Sequence, residues 1–492
     1  MTDIRIEQGL VRGDQRDGVF RFRGLPYAAA PVGERRWAPP APPERWDGVR
    51  EATEFGPAAI QFTNVANDLG AEPSEDCLNL NIWSPTLDSQ ARLPVMVWVH
   101  GGGFVHWSAS MKGWHGRMLS ARGVVVVSLN FRLGALGFLA HPRTGANFAV
   151  QDWVAALRWV AENIASFGGD PGNVTIFGQS AGADAVRTLL GTPSANGLFH
   201  RAILQSAGFE PRAVAAEGHR AGVTRVSEAF FEQLGGNDLD YLRALPIETL
   251  RAAAMTASIT GTPGQARTPG DLAWRPFPDG QIVGEDLSSW DPGVPVLFGS
   301  TEDEARFFFT PTGSGGPRGG DPVAIYTPAT LASMAQLLGG ERAQDILDQL
   351  TGNPYEALTE LFTAGVWTEP LLASYRRFTQ IPRIAFAYRF ARVSPANRAS
   401  GLLAHHCAEL AYVFGRVRPG QYDDADAAVS DAVMHAWTTF ARDGVPRHLD
   451  GAAWPSTSAV EPSITLIEDT VRTEPLRHSS TTTLIESLRV RR

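Results

Sequence analysis

The sequence predicts an α/β fold, a large and mostly parallel central sheet with helices on both faces. Short, almost wholly apolar runs recur at Pro94–His100, Val124–Asn130, Asn173–Ile176 and Ala202–Gln205, as in strands buried on both sides. A helical pattern over Asp152–Ile164 falls between the second and third of these runs, as a crossover between parallel strands requires. The third run continues through Phe177 into Gly178-Gln179-Ser180-Ala181-Gly182, and the helix-forming Ala183–Leu190 follows at once. A serine at such a strand-to-helix turn is held with its hydroxyl out of the sheet. Crowding two residues to either side admits only the smallest side chains, a demand that Gly178 and Gly182 meet. The five-residue pattern alone is a weak signal in a chain with 50 glycines, so the rest of the sequence must support it.

Composition sets the frame. At 492 residues, 43% hydrophobic and 19% charged, the chain has ample material for one large core. We expect a single domain over 1–492, with helical and loop insertions at roughly 210–290 and 310–380 forming a cap or gorge rim. A net charge of −9 argues against a nucleic-acid partner, which would call for a basic stripe. Met1–Glu7 shows no basic stretch followed by an apolar one, and the apolar runs are far too short to span a bilayer. Cys77 and Cys407 form no disulfide framework. The expectation is a reduced, cytoplasmic protein with no membrane partner, and a monomer.

Along the chain, residues 1–60 alternate short apolar runs with turn residues, which predicts a small antiparallel section, and Leu78–Trp83 reads as a further strand. His100-Gly101-Gly102-Gly103-Phe104 follows the strand at Pro94–His100 directly. Three glycines there are costly unless backbone must come close to something. Paired with the serine turn they suggest an oxyanion hole, in which bare N–H groups meet a developing alkoxide. Phe167–Pro171 reads as a turn. Beyond 210 the texture shifts to helical stretches at 218–234 and 329–350 separated by loops at 260–271 and 310–322. Pro295–Gly299 and Ile384–Phe390 are buried strands, Asp431–Arg442 is a long helix, and the tail beyond 451 is weakly patterned. The 310–322 loop, glycine-rich and next to an acidic stretch, is expected to form a mobile rim.

A serine hydroxyl needs a general base, and that base needs an orienting carboxylate. In a sheet of this kind the order along the chain should be serine, acid, histidine. Strand Pro295–Gly299 runs into Ser300-Thr301-Glu302-Asp303-Glu304, where composition does not choose among three carboxylates that would ordinarily be a solvated loop. Of the 11 histidines, His405, His406, His435, His448 and His478 lie beyond it. His435 is inside a helix, and His405-His406 follows a strand and a turn over Pro395–Gly401, where a loop base belongs. Neither a second ligand pair at zinc-like spacing nor H-E-x-x-H accompanies His405-His406-Cys407, so no metal is expected.

With these residues in view, the sequence resembles the type-B carboxylesterase/lipase family of the α/β-hydrolase fold, on its bacterial para-nitrobenzyl esterase and phenmedipham hydrolase side. The marks run nearly end to end: Phe22–Ala28, Ser74–Asn81, His100–Phe104, Asn130–Gly134 with Gly137–Leu139, Phe167–Pro171, Asn173–Gly182 and Arg201–Ser206. The resemblance implies that Glu304 is the acid, although Ala305 stands where the family usually has glycine. It implies His406 as the base, from its spacing to Glu409 and to Val413-Phe414-Gly415. The oxyanion donors it implies are the N–H groups of Gly102, Gly103 and Ala181, with Ser206 supporting the acid from behind. Cys407 falls on a position that is often glycine. Gln179 stands where many relatives, cholinesterases among them, carry glutamate. Ala59 replaces the usual disulfide partner of Cys77, and 60–76 lacks a tryptophan, so a choline-type cage is not expected.

The function implied is serine ester hydrolysis through an acyl-enzyme on small-molecule esters, without cofactor. Phe104, Trp107, Phe307, Phe308 and Phe309 are candidates for an aromatic pocket, although core roles fit each as well. A carbamate or amide hydrolase would use the same three residues. A non-catalytic adhesion or scaffold protein of this fold is the remaining alternative, disfavoured by the complete set.

Overall fold

The computed structural model describes residues 1–64, 68–142, 144–207, 219–236, 238–260, 272–284, 293–310 and 326–489. Its strands are β1 (Thr2–Ile6), β2 (Gly9–Arg16), β3 (Val19–Pro26), β4 (Val49–Glu51), β5 (Ala58–Ala59), β6 (Pro73–Ser74), β7 (Asn79–Ser84) and β8 (Leu93–Val99). They continue with β9 (Val125–Leu129), β10 (Gly169–Gln179), β11 (Arg201–Gln205), β12 (Val296–Thr301), β13 (Ala385–Phe390), β14 (Ser463–Ile467) and β15 (Val471–Pro475). Among the described residues one large sheet runs β1-β2-β3-β7-β9-β8-β10-β11-β12-β13-β14-β15, with β4 added beside β2 and β5–β6 paired apart.

The stretch from β9 to β14 is parallel throughout. β1, β2, β3 and β7 pair antiparallel in turn, as the alternating pattern predicts, and β7 is antiparallel to β9, whereas β4 lies parallel to β2 and β5 parallel to β6. Period-two alternation divides the centre between two cores. Val95, Val97 and Val99 pack with Trp153 and Leu157 of helix Phe148–Asn163 on one face. Met96 and Trp98 pack with Val433 and Trp437 of helix Asp424–Asp443 on the other. A third apolar cluster, which includes Ala305, Leu338, Phe362, Trp367 and Ile485, joins helices of 328–368 to helix Ser480–Ser487.

Several boundaries differ from the sequence reading for physical reasons. The helix expected over Asp152–Ile164 starts at Phe148 and buries Asp152 as well as its apolar residues, because that aspartate is paired inside the protein. The turn expected over Phe167–Pro171 narrows to Gly168, at φ +79°, and β10 already begins at Gly169. Helix 329–350 is broken at Gly340, at φ +54°, into Pro328–Gly339 and Ala343–Leu347. The turn at 395–401 is a short helix, Pro395–Ser400. Helix Asp424–Asp443 starts seven residues before the apolar pattern does, because Asp423 and Asp426 form a reciprocal capping box. The tail is not patternless: it holds β14, β15 and a helix, with the outer strand β15 largely polar because its face meets solvent. The loops at 261–271 and 311–322 lie outside the described residues, and so does the expected mobile rim. No helix of the described residues is long and apolar enough to cross a membrane.

Candidate active site

Strand β10 delivers Gln179 and Ser180 to the carboxyl edge of the sheet. Ser180 takes φ +58° and ψ −127°, far from ordinary strand or helix, before helix Ala181–Leu190 begins. Its N–H donates to the Gln205 carbonyl at 2.9 Å, which ties the turn to β11. The flanking glycines are steric necessities. A Cβ on Gly178 would lie 2.3 Å from the Gly182 oxygen, and one on Gly182 would lie 2.1 Å from the Val99 oxygen. Ser180 is half-buried while Gln179 and Ala181 are buried, and its hydroxyl makes no hydrogen bond among the described residues. The Ala181 N–H is among the four that a helix start leaves without an intrahelical partner.

The glycine loop after β8 packs against this turn. A Cβ on Gly101 would meet the Gln179 oxygen at 2.7 Å and Ser180 Cβ at 3.3 Å. Gly102, at φ +103°, accepts from the Val105 and His106 N–H groups at 3.0 and 3.1 Å, and a Cβ there would strike the His106 oxygen at 2.1 Å. Gly103, at φ +59°, is the open position, where a Cβ would find only Leu272 and Val105, at 3.6 and 3.7 Å. The loop is pinned from outside: Gly134 N–H donates to Phe104 O at 2.7 Å, Phe62 N–H to Val105 O at 2.7 Å, and Trp107 N–H to Gln61 Oε1 at 2.7 Å. Gln61 carries no sequence signal for this role. Phe104 and Trp107, expected as pocket candidates, belong to the core. Phe104 packs on Phe138 at 4.7 Å and Trp107 on Trp114 at 5.5 Å, both with left-handed backbone at φ +60° and +78°.

The acidic loop after β12 sorts its three carboxylates by direction. Glu302 is exposed and faces Arg389 at 3.1 Å. Asp303 braces the histidine loop: its N–H donates to Ala404 O at 3.0 Å and its carboxylate accepts from Ala404 N–H at 3.1 Å. Glu304 is fully buried, accepts the Thr301 N–H on Oε1 at 2.9 Å, and meets His406 Nδ1 with Oε2 in a short contact. His405 instead stacks on Phe307, ring centres 5.7 Å apart, with Nδ1 on the His406 carbonyl. Ala305 sits at an ordinary helical φ of −69°, so no glycine is needed there. Ser206, at φ +58°, donates its N–H to Gly299 O at 2.7 Å. Its Oγ has no hydrogen-bond partner among the described residues.

His406 is buried. Burial presses its imidazolium down and the paired Glu304 carboxylate draws it up, the balance lying well above the ordinary imidazole value. Glu409, behind it, is pushed up to about 7 by burial and by the Glu304 charge, with Gln205 Nε2 donating to Oε1 at 3.1 Å. His406 Nε2 faces the Gln179 side-chain amide at 3.1 Å. Aromatic rings close over the imidazole: Phe308 at 5.2 Å, Trp367 at 5.4 Å and Phe307 at 5.8 Å between ring centres. Phe309 turns away onto Phe362 and Tyr326. Trp367, which the sequence reading does not single out, comes from a single π-helical turn, Thr363–Thr368. Such turns gather at functional sites. Among the described residues no group of three or more His, Cys, Asp or Glu is placed to hold a metal ion.

A sheet of this order, with a glycine-flanked serine turn at the carboxyl end of β10, defines an α/β-hydrolase. The chain matches the model of the Carboxylesterase family over residues 1–483 and belongs to that family. It is a carboxylic ester hydrolase. It is 34% identical over 478 residues to para-nitrobenzyl esterase of Bacillus subtilis, covering 92% of each chain. It is 34% identical over 488 residues to phenmedipham hydrolase of Pseudarthrobacter oxydans, covering 94% of each. Among solved structures it superposes on a PNB esterase with TM-score 0.81 at 31% identity, covering 98% of this chain and 99% of that one.

Proposed function

We propose that Ser180 is the nucleophile, His406 its general base and Glu304 the carboxylate that orients the base. The observation that carries this reading is the buried pairing of His406 Nδ1 with Glu304 Oε2, two residues 102 apart in sequence, beside the serine turn. With Nδ1–H committed to Glu304, the lone pair is on Nε2, the atom that takes the proton. Ser180 Oγ attacks the ester carbonyl and its proton passes to Nε2. The tetrahedral oxyanion lies against the N–H groups of Gly102, Gly103 and Ala181, each worth about 2.7–4 kcal/mol of barrier. His406 returns the proton to the departing alcohol, leaving the acyl-enzyme. Water repeats the sequence, releasing the acid. The chemistry requires no cofactor.

The substrate side supports small esters with apolar groups, since Leu272 and Val105 face Gly103 and Phe308 and Trp367 cover the imidazole. Carbamates are the second substrate class, favoured by the likeness to phenmedipham hydrolase and served by the same steps. Cys77 and Cys407 are both free thiols and Ala59 lies buried, which supports a reducing, cytoplasmic setting. Helices of 219–260 and 328–378 would form the rim of one domain that acts as a monomer.

Ser180→Ala tests the reading. Hydrolysis of short p-nitrophenyl esters should vanish while the circular dichroism spectrum and melting curve stay unchanged; residual turnover at the wild-type rate would refute the nucleophile assignment. Matched p-nitrophenyl acetate and N-methylcarbamate substrates then separate the two classes.

A further inference from the structure

Gln179 lies one residue before the serine and is fully buried beneath Gly101, whose Cβ would stand 3.2 Å from Oε1. Its amide is engaged at both ends. Cys407 Sγ donates to Oε1 at 3.3 Å, and Nε2 stands 3.1 Å from His406 Nε2. With Cys407 a thiol and His406 neutral, the three groups fit one arrangement of hydrogens. A thiol can only give its proton to the amide oxygen, so the amide nitrogen faces the imidazole, and it can only donate. Cys407 holds this place with backbone at φ +73°, a conformation side chains rarely adopt and one that tends to persist at working sites.

We propose that Cys407 and Gln179 form a neutral hydrogen-bonded arm that sets the pH at which His406 becomes an active base, with Gln179 as a positioning residue and Cys407 orienting its amide. An N–H aimed at Nε2 stabilises the neutral ring and opposes the protonated one, whose own N–H would meet it head-on. The arm thus works against Glu304, whose charge favours the imidazolium. It also occupies the lone pair that Ser180 needs, so substrate entry must hand Nε2 from Gln179 to Ser180.

The other titratable groups around His406 are accounted for. Glu304 faces it from the acid loop, Glu409 from the helix start behind it, and His405 and Cys407 from its own loop, while Tyr388 on β13 faces the two glutamates. Cys407 could raise His406 only as a thiolate, and burial pushes the thiol pKa up, which keeps it protonated.

The inference rests on His406 being the base, so its test reads the ring directly as well as turnover. In full-length protein with 13C-labelled histidine, the His406 Cε1 titration is followed beside the pH profile of kcat/KM for p-nitrophenyl acetate. His406→Gln identifies the resonance. Cys407→Gly, which suits the left-handed backbone, frees the amide to turn Oε1 toward the imidazolium; the midpoint and the acid limb should both rise by about one pH unit. In a Gln179→Met background the same change should produce no further shift. An unchanged midpoint in Cys407→Gly, or an equal shift without Gln179, would overturn the arm. A downward shift would do so too, by making Cys407 a thiolate. Turnover surviving His406→Gln would overturn the base assignment itself, a result distinct from all three.

Discussion

Asp303 and Ala404 are joined twice, by the aspartate N–H on the alanine carbonyl at 3.0 Å and by the alanine N–H on the aspartate carboxylate at 3.1 Å. This double tie runs between the acid loop and the histidine loop, one residue ahead of Glu304 and two ahead of His406. Asp303→Ala leaves the Ala404 N–H without its acceptor, a loss of about 1–3 kcal/mol where that group is buried. The consequence for rate follows from geometry, since small misplacement of a base is costly. We expect kcat/KM on p-nitrophenyl acetate to fall by about tenfold or more. Asp303→Asn keeps an acceptor and should retain most of the rate; equal losses in the two variants would show that charge, not the tie, matters.

The glycines of the two loops are separable by steric demand. Gly182→Ala drives a Cβ to 2.1 Å from the Val99 oxygen, a clash of backbone on backbone that no rotamer relieves. Overpacking of about 1–3 kcal/mol or more follows, and little soluble protein is expected. Gly103→Ala has room, 3.6 Å to Leu272 at the nearest, and costs only the left-handed backbone, about 1–2 kcal/mol. It should fold, melt slightly earlier and lose turnover through a displaced N–H. Comparing expression and melting of the two variants checks the distinction.

What the sequence made legible tracks what local sterics and periodicity control. Buried β-branched runs gave the parallel core, and the glycines around Ser180 gave the turn, because both are demands of backbone on neighbouring residues. Glu302, Asp303 and Glu304 were indistinguishable by composition. Their directions are set by Arg389, Ala404 and His406, partners 87 to 102 positions away. Trp367 was invisible because a π-turn, which swings its ring over His406, leaves no residue signature. Phe104 and Trp107 fitted a pocket or the core equally well by sequence, and both lie buried in the core.

A buried ion pair ties the segment after β9 to helix Phe148–Asn163. Arg132 Nε and Nη2 donate to Asp152 at 2.8 and 2.6 Å, and the same guanidinium holds the Ala38 and Phe148 carbonyls at 2.8 and 3.3 Å. Asp152→Asn would leave a buried guanidinium without its counter-charge, a loss of about 3–5 kcal/mol. In urea the midpoint should drop sharply with the slope of the transition unchanged. A midpoint within error of the wild type would mean that water reaches the arginine.

The pH profile has a defined sign. As the proposed general base His406 must be neutral, so activity should be lost as pH falls through its pKa. On balance that pKa is raised, the Glu304 carboxylate opposing the effect of burial, so the limb should lie above the ordinary histidine value of about 6.5. For a substrate whose chemistry limits the rate, kcat/KM should climb with pH across this limb and then level off. A profile already flat at about pH 5 would contradict a histidine base in this setting.

Trp367 lies 5.6 Å from Phe308 in a near-parallel stack, interplanar angle 18°, and its ring is 5.4 Å from His406. Both rings pack against the buried imidazole, and under the proposed function they would offer an apolar wall to the substrate. Trp367→Ala removes a buried ring, a loss of about 3–5 kcal/mol in stability, and lets water reach Nε2. Trp367→Phe keeps a ring over the base with less area for the substrate. The alanine variant should lose kcat and melt early; the phenylalanine variant should keep kcat and raise KM for aryl esters more than for acetate esters of small alcohols. Equal KM changes across both ester series would place the ring in stability alone, and the substrate wall would then have to be Phe308.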